Sequence, residues 1–345
     1  MFLGEYRMKI LVGLSGGVDS AAAALSLMKD GHEVEGAVLV MHDFCDVDGA
    51  KKVADALAIP LHVIDLCEPF DREVKSYFAD EYAHGRTPNP CIICNEKIKF
   101  AELLRFALSN GFDKIATGHY ARVESIDGRH TLARAGDEKK DQTYMLYRLS
   151  DEVLSHLVLP LSDMKKAEAR EMLREAGCDF ADKADSQEIC FLPDGNYADF
   201  VRHVHGEFPK GSFISESGEL LGEHRGIINY TVGQRKGLGI ALGERMFVTA
   251  IDPIENTVTL APKMSGKREL IIDRAVFSGA LPADLNNLTV LVKVRYTAPL
   301  AEVTATLLSD GKILLQATDA LKAAPGQSAV AYDSQGRVLF GGIIV

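Results

Sequence analysis

The amino-terminal part of the chain is organised around one short stretch, Gly13-Leu14-Ser15-Gly16-Gly17-Val18-Asp19-Ser20. An apolar run precedes it and a helix-forming run follows it, which predicts a strand, a tight turn and a helix. The first backbone N–H groups of such a helix have no partners within the helix and converge on one place. Glycines let the backbone approach a ligand there, and the helix dipole adds positive charge. The stretch therefore predicts a binding site for an anion.

The spacing within this stretch excludes two common phosphate-binding loops. A Walker A loop ends in Gly-Lys-Ser/Thr, and no lysine follows Gly17. The glycines also lack the G-x-G-x-x-G spacing of a dinucleotide site. Ser15 and Ser20 can add hydroxyl donors, and Asp19 can reach a phosphate-bound Mg²⁺. A glycine turn without a ligand is disfavoured, because two adjacent glycines at a helix start are costly.

Composition limits the classes of function. The chain has 345 residues and a net charge of −11, so a nucleic acid would have to bind at a local basic patch. No apolar run reaches the roughly 18 residues of a membrane span, and we expect a cytoplasmic protein with no membrane partner. Six cysteines in such a chain indicate metal, redox or catalytic use rather than a disulfide framework.

Apolar runs alternate with amphipathic stretches up to about residue 118, which predicts βαβ units and a doubly wound parallel α/β sheet. The predicted strands are Lys9–Val12, Glu33–Val40, Leu61–Leu66 and Lys114–Thr117. Ligands of such sheets bind at the carboxyl ends of the strands, so Leu39 and Gly118 are expected to face the same crevice as the glycine-rich turn. Short alternating runs and turns from about residue 207 onward predict a small β-rich central domain and a C-terminal antiparallel β-barrel. The predicted domains are 1–206, 207–266 and 267–345.

A second motif, His84-Gly85-Arg86-Thr87-Pro88-Asn89-Pro90-Cys91-Ile92-Ile93-Cys94-Asn95, delivers two cysteines to a helix start. Asn89 can cap the helix and Pro90 can be its first residue. Cys91 then lies in the first turn, where a thiolate is favoured, and Cys94 lies one turn later on the same face. On its own, this C-x-x-C pair fits a redox pair, half a zinc site or an iron–sulfur site about equally.

Further motifs follow in order, and their combination is far more specific than any one of them. They are Ala-Thr-Gly-His-Tyr at 116–120, Lys140-Asp141-Gln142-Thr143-Tyr144 and Asp185-Ser186-Gln187-Glu188-Ile189-Cys190-Phe191. A hairpin around Asp127-Gly128 and a helix over Leu161–Ala176 are predicted between them. With the two earlier motifs, this series resembles the tRNA-specific 2-thiouridylases of the ATP pyrophosphatase superfamily, and similar segments continue to the end of the chain.

The resemblance implies an adenine nucleotide alpha hydrolase-like fold, ATP and Mg²⁺ as cofactors, and 2-thiolation of the wobble uridine. It implies that residues Gly13 to Ser20, Leu39 and Gly118 bind ATP, and that the uridine oxygen is adenylated. A persulfide on Cys190 would supply sulfur, with a sulfur-donor protein or sulfide as a partner. Cys94 would release the sulfur, either by attacking the persulfide to form a Cys94–Cys190 disulfide or by handling a hydrosulfide. It implies that Asn89, Pro90 and Cys91 meet the target base of the tRNA anticodon arm. The other implied tRNA contacts are His119 and Gln327, with Lys140, Asp141, Gln142, Arg295 and Tyr296 along the tRNA.

The sequence departs from the family pattern at Cys91, where many members carry an aspartate proposed to act as a base. Cys91 either replaces that carboxylate or joins Cys94 and Cys190 as a ligand of a [4Fe–4S] cluster. The remaining cysteines, Cys45, Cys67 and Cys178, match no motif and are predicted to be structural thiols.

Two other functions fit parts of the pattern. Another ATP pyrophosphatase could adenylate a small metabolite, and it would need neither an RNA-binding patch nor Cys190. A nucleotide-binding regulator would bind ATP without releasing pyrophosphate. Gln234-Arg235-Lys236 and the run from Lys263 to Arg268 are basic and could contact RNA phosphates, although each also fits an ordinary solvated surface.

Overall fold

The computed structural model describes residues 7–181, 189–192, 195–240 and 243–345. The chain divides into two compact units, each built from more than one segment. The first unit comprises Met1–Glu73, Cys91–Pro193 and Gln335–Leu339. The second comprises Val74–Pro90, Asp194–Ser334 and Phe340–Val345.

The strands are, in chain order, β1 (Lys9–Gly13), β2 (Glu33–Val40), β3 (Leu61–Asp65), β4 (Lys114–Ala116), β5 (Arg122–Ile126), β6 (Arg129–Ala133), β7 (Leu157–Val158), β8 (Gly211–Ser215), β9 (Leu220–His224), β10 (Phe247–Asp252), β11 (Thr257–Ala261), β12 (Lys267–Phe277), β13 (Leu288–Lys293), β14 (Ala301–Leu307), β15 (Ile313–Leu321), β16 (Ser328–Tyr332) and β17 (Val338–Ile344). The α-helices are α1 (Val18–Lys29), α2 (Val47–Leu57), α3 (Cys67–Phe70), α4 (Ser76–Ala83), α5 (Pro90–Cys94), α6 (Phe100–Ser109), α7 (Thr143–Leu146), α8 (Asp151–His156), α9 (Lys166–Glu175) and α10 (Tyr197–His205).

The first unit contains the predicted parallel sheet, with strand order β3-β2-β1-β4-β7. All four strand pairs are parallel. The chain proceeds outward from β1 to β3 and then returns to place β4 on the other side of β1. Helices before and after this reversal therefore cover opposite faces of the sheet. The carboxyl ends of β1 and β4 meet at the reversal, which is where such folds bind ligands.

The glycine-rich turn leads into a helix whose middle part is buried. The side chains of Ala21, Ala22, Ala23 and Ala24 are fully inaccessible to solvent. Helix α1 packs against β2 on one side and against α9 on the other. Four consecutive small side chains let the helix axis approach both neighbours closely, so the first turn of α1 is held rigidly at the end of the sheet.

Local structure follows the predictions with one clear difference. Strand β2 has the predicted bounds, and β5 and β6 form the predicted hairpin, with positive φ at Asp127 and Gly128. The helix predicted from residue 161 begins instead at Lys166. Its start is fixed by the Glu168 carboxylate, which accepts a hydrogen bond from the Lys165 N–H at 2.8 Å. The short strand β7 was not predicted, because two residues carry no periodic signal.

The second unit joins two helices, a four-stranded sheet and a closed barrel. Helices α4 and α10 pack through aromatic pairs, including Tyr82 and Tyr197 with ring centroids 4.5 Å apart. The sheet has the order β10-β11-β8-β9, and the closed barrel has the order β12-β15-β14-β13-β16-β17. The predicted fold class is confirmed, whereas the domain boundaries at 206/207 and 266/267 stay a prediction. No helix in the described part of the chain is long and apolar enough to cross a membrane.

Candidate active site

The predicted anion site lies between the end of β1 and the start of α1. Gly16 has φ +71°, and a Cβ there would stand 2.8 Å from a carboxylate oxygen of Asp46. The Ser20 hydroxyl accepts a hydrogen bond from the Ser15 N–H at 3.2 Å and donates to the Gly17 carbonyl at 3.0 Å. No side chain caps the first N–H groups of α1. The turn therefore has a defined shape and presents backbone donors at the switch point of the sheet.

Asp19, in the first turn of α1, is held by two side chains that the sequence analysis did not connect with it. The Tyr120 hydroxyl donates to one carboxylate oxygen at 2.8 Å, and the Lys166 ammonium pairs with the other at 2.7 Å. The Lys166 side chain is only 13% exposed. Tyr120 belongs to a recognised motif, but Lys166 gave no signal, because a lysine at a helix start is ordinary in sequence.

Gly118, directly after β4, touches the anion site. A Cβ at this position would stand 2.4 Å from the carbonyl carbon of Asp19 and 2.6 Å from the Ser20 nitrogen. Only a glycine lets β4 end this close to the first turn of α1. Leu39, the other predicted adenosine contact, is the second-last residue of β2 and is half-buried.

The predicted catalytic cysteines lie in the same unit and interact electrostatically. Cys94 is buried, whereas Cys91 and Cys190 are exposed. Burial raises the pKa of Cys94 to about 12, the Lys99 ammonium acts in the opposite direction, and Cys190 and Cys91 raise it further. Although Cys190 as a whole residue is exposed, desolvation of its thiol likewise raises its pKa, and Lys99 again opposes this. The rest of the third-cysteine motif, residues 185–188, lies outside the described residues.

Cys45, predicted to be a structural thiol, lies next to this group. Its sulfur accepts a hydrogen bond from the Met41 N–H at 3.3 Å, and the Cys94 sulfur contacts the Met41 sulfur at 3.7 Å. Met41 directly follows β2, so both cysteines lie at the carboxyl end of the sheet. All six cysteines are described, and all are free thiols. Among the described residues, no group of three His, Cys, Asp or Glu side chains is arranged to hold a metal ion.

Lys99 is the cation of this site that the sequence reasoning missed. It ends a π-helical turn, Asn95–Lys99, closed by the hydrogen bond from the Phe100 N–H to the Asn95 carbonyl. Lys99 comes five residues after Cys94, and in a regular α-helix five steps of about 100° would place the two side chains about 140° apart around the helix axis. The i→i+5 bonding of a π turn instead returns residue i+5 toward residue i, so the turn brings Lys99 toward the side of Cys94.

His119 is half-buried and interacts electrostatically with the same lysine. Its Nδ1 lies 2.9 Å from the Thr117 hydroxyl, and its ring lies 5.3 Å from that of Phe100. Burial and the Lys99 charge lower the pKa of His119 to about 3. The imidazole is therefore neutral at physiological pH and can offer RNA a neutral hydrogen bond but no charge.

The other predicted tRNA contacts are divided between the two units. In the first unit, Asp141 is buried and accepts hydrogen bonds from Thr143, and the Gln142 side chain accepts one from the Tyr120 N–H at 2.8 Å. Lys140 is half-buried in the same segment. Asn89, Pro90, Arg295, Tyr296 and Gln327 belong to the second unit.

Arg295 lines an open cavity of about 460 Å³ in the second unit. The cavity is lined by Gly233, Phe247, Pro262, Lys263, Met264, Arg295 and Lys322. Two guanidinium nitrogens of Arg295 are buried without a hydrogen-bond partner among the described atoms. The lining includes three cations and no acidic residue, so the cavity suits an anion.

Comparisons with known proteins agree with this architecture. Three family models match consecutive parts of the chain: tRNA methyl transferase HUP domain at residues 8–194, tRNA methyl transferase PRC-barrel domain at 198–262 and aminomethyltransferase beta-barrel domain at 267–345. A solved 4-thiouridine synthetase–RNA complex with bound ATP matches 54% of this chain and 45% of its own, at 22% identity and a TM-score of 0.39, which is too weak to support an inference.

Two curated relatives are similar over nearly their whole length. The chain is 39% identical to tRNA-specific 2-thiouridylase MnmA of Clostridium perfringens, over 98% of each chain. It is 41% identical to tRNA-specific 2-thiouridylase MnmA of Acetivibrio thermocellus, over 98% of this chain and 99% of the relative. Identity at this level over this length means that the chain belongs to the tRNA-specific 2-thiouridylase family.

Proposed function

We propose that the chain replaces the C2 oxygen of the tRNA wobble uridine with sulfur, in an ATP-dependent reaction. The observation that carries the proposal is that one unit holds both the anion site at the sheet reversal and a group of thiols at the carboxyl end of the same sheet. Adenylation needs the first feature, and sulfur transfer needs the second. Cytoplasmic location is part of the proposal, since the substrate is a tRNA.

In the first step, residues Gly13 to Ser20 hold the phosphates of ATP, with Leu39 and Gly118 against the adenosine. The uridine O2 attacks the α-phosphorus and expels pyrophosphate, which makes that oxygen a good leaving group. Asp19 is 33% exposed, and its carboxylate keeps acceptor sites beyond its bonds to Tyr120 and Lys166, so it can hold Mg²⁺. Mg²⁺ would offset the negative charge of the phosphates.

In the second step, the terminal sulfur of a persulfide on Cys190 attacks C2, and AMP leaves. Cys94, whose raised pKa keeps it a thiol at physiological pH, loses its proton as it attacks the Cys190 sulfur. A Cys94–Cys190 disulfide forms, and the transferred sulfur stays on C2. The displaced thiolate becomes the C2 thione, so electrons balance. A thiol reductant can then reduce the disulfide, after which a sulfur-donor protein passes the outer sulfur of its own persulfide to the Cys190 thiolate. Alternatively, sulfide attacks the Cys190 sulfur of the disulfide, which releases the Cys94 thiolate and gives the Cys190 persulfide directly.

An iron–sulfur cluster on Cys91, Cys94 and Cys190 does not fit the described arrangement, because these residues do not form a ligand group there. We therefore route no step through a cluster. Cys91 can instead replace the aspartate that many family members carry at this position.

The tRNA is held by both units in this proposal. His119 and the Lys140 to Gln142 segment contribute from the first unit. In the second unit, Asn89 and Pro90 contact the target base, and Tyr296 and Gln327 contact the tRNA. The cationic cavity at Arg295 would take a backbone phosphate, with Lys263 and Lys322 beside it. Such contacts position an RNA and make binding sensitive to salt. Residues 1–206 would thus carry the chemistry, and residues 207–266 and 267–345 would mainly bind the anticodon arm.

The test is incubation with unmodified tRNA, ATP, Mg²⁺ and polysulfide, whose sulfur can pass to the free Cys190 thiolate to form the persulfide, followed by mass analysis of the nucleosides. We expect 2-thiouridine and stoichiometric AMP and pyrophosphate from the wild-type chain. Cys94→Ser and Cys190→Ser should abolish thiolation, whereas the control Cys67→Ser should retain it, because Cys67 lies against the Val40 carbonyl outside the thiol pair. Absence of thiolated nucleoside with all components present would contradict the proposal.

The same assay separates the alternative functions. A metabolite-adenylating enzyme would keep its activity in Cys190→Ser and ignore tRNA. A regulator would bind ATP without releasing pyrophosphate on addition of tRNA. Methyl transfer, which two of the family-model descriptions mention, would add a methyl group to the nucleoside instead of exchanging oxygen for sulfur.

A further inference from the structure

The loop that precedes the two-cysteine helix is held by the C-terminal barrel. Residues Gly85 to Pro90 form this loop, which we call the base loop. The Thr87 N–H donates to the Pro325 carbonyl at 2.8 Å, and the Gln327 side-chain amide donates to the Thr87 carbonyl at 2.7 Å. Both backbone groups of Thr87 are thus bound by residues that directly precede β16, more than 200 positions later in the chain.

The barrel presents these partners on a rigid turn. The Gln327 N–H donates to the Ala324 carbonyl at 3.1 Å, with Pro325 and Gly326 between them. Gly326 has φ +87°, so this is a type II turn with the residues that this turn requires. Strand β17 secures the turn from behind, because Gly326 donates to the Ile344 carbonyl at 2.9 Å and Ile344 donates to the Gln327 carbonyl at 2.8 Å.

The turn and the base loop meet main chain to main chain. A Cβ on Gly326 would stand 2.8 Å from the Thr87 nitrogen and 3.0 Å from the Arg86 Cβ. The absence of a side chain at position 326 is therefore needed for the loop to sit where it does. This close approach does not depend on the hydrogen bonds of Gln327. It is a second observation that the turn fixes the position of the base loop, and we call this position of the loop against the turn its seat.

The amino-terminal end of the base loop is held within the same unit. The Arg86 guanidinium makes two hydrogen bonds to the buried Glu81 carboxylate, at 2.7 and 2.9 Å. Arg274, on barrel strand β12, approaches the same carboxylate at 3.4 Å. Gly85 has φ +68° and lies against Ile251 of β10. The base loop is thus a constrained segment rather than a free surface loop.

We infer that Gln327 and the type II turn at Pro325–Gly326 are positioning elements that set the base loop, and through it Asn89 and Pro90, for the reaction. The inference rests on the proposed function, in which Asn89 and Pro90 contact the target base. Gln327 thereby acts on catalysis through the Thr87 backbone, in addition to any contact that its side-chain oxygen makes with RNA. A side-chain amide can do both, because it has separate donor and acceptor ends.

Hydrogen–deuterium exchange without tRNA or ATP tests this directly, because the Thr87 N–H reports whether the base loop is seated. In Gln327→Ala and in Gln327→Glu we expect Thr87 to exchange about fivefold faster, the factor that corresponds to one ordinary hydrogen bond. Glu keeps the shape of Gln but cannot donate to the Thr87 carbonyl. The matched control is Gln316→Ala, which removes a similar barrel side-chain bond, to Glu269 at 3.0 Å, between β15 and β12, neither of which contains this turn.

The thiolation assay then connects the seat to the reaction. We expect kcat to fall by about fivefold or more in both Gln327 variants and to stay at the wild-type value in Gln316→Ala. Unchanged exchange at Thr87, or faster exchange with unchanged kcat, would overturn the inference. A wild-type chain that does not thiolate tRNA would refute the proposed function instead, and the exchange result would still decide whether the seat exists.

Discussion

Replacement of Gly118 by alanine should disrupt nucleotide binding by a calculable steric conflict. The new methyl carbon would stand 2.4 Å from the Asp19 carbonyl carbon, where ordinary contact begins at 3.4 Å, so the first turn of α1 must retreat by about 1 Å. The atoms in the way are backbone, which cannot rotate aside. We therefore expect a stability loss near the upper end of the overpacking range, about 3 kcal/mol. A displacement of about 1 Å at a binding turn can also cost about 100-fold in function.

The matched control is Gly13→Ala, at the carboxyl end of the neighbouring strand β1. Its methyl would find Leu103 at 3.5 Å and Thr117 at 3.6 Å, which are ordinary contacts, and Gly13 does not have a positive φ. We expect this variant to melt close to the wild type. Thermal unfolding and calorimetric titration with ATP measure the two effects. Wild-type melting and wild-type ATP affinity in Gly118→Ala would refute the steric reasoning.

Three further predictions concern charged groups of the first unit. Lys166→Met removes the 2.7 Å ion pair with Asp19 and should lower the rate of tRNA-dependent pyrophosphate release at least tenfold with little change in melting; an unchanged rate would exclude Lys166 from the site. His119 has a folded-state pKa of about 3, so below about pH 6.5 the unfolded chain binds a proton that the folded chain does not. The free energy of unfolding should therefore fall toward pH 3 by up to about 1.4 kcal/mol per pH unit. Urea unfolding of His119→Asn should show a shallower decline, and a decline identical to that of the wild type would contradict this. Arg148 pairs with the Glu96 carboxylate at 2.7 Å, and the Glu96 side chain is 23% exposed. Arg148→Met removes this cation and should lower the free energy of unfolding, measured in urea, by about 2 kcal/mol. A loss below about 0.5 kcal/mol would show that the pair contributes little to stability.

Sequence alone predicted the features that depend on local residue patterns. Alternation of apolar and amphipathic runs predicted the parallel sheet, because a strand or a helix buries its own periodic face. Gly16-Gly17 before a helix predicted the anion turn. The structure requires glycine freedom at Gly16, which has φ +71°, whereas Gly17 is extended. The order of five motifs predicted the family, which the full-length relatives confirm.

Tertiary structure alone decided which distant residues meet. Nothing near Asp19 in sequence indicates that Tyr120 and Lys166 hold its carboxylate, 101 and 147 positions later. Lys99 lies near the thiols because a single π turn changes the phase of its helix, and such a turn has no residue signature. Cys45 matched no motif, and only the end of β2 brings it beside Cys94.

The second unit shows the same division most clearly. The residues Ala-Pro-Gly-Gln at 324–327 already predict a type II turn, since proline fixes one φ and glycine permits the positive one that follows. That the turn seats Thr87 depends on closure of a six-stranded barrel, which no local pattern encodes. Each residue and its neighbours determine the local backbone conformation. The hydrogen bond between Gln327 and Thr87 joins residues 240 positions apart, and closing so long a loop costs entropy that only the interactions of the whole fold offset.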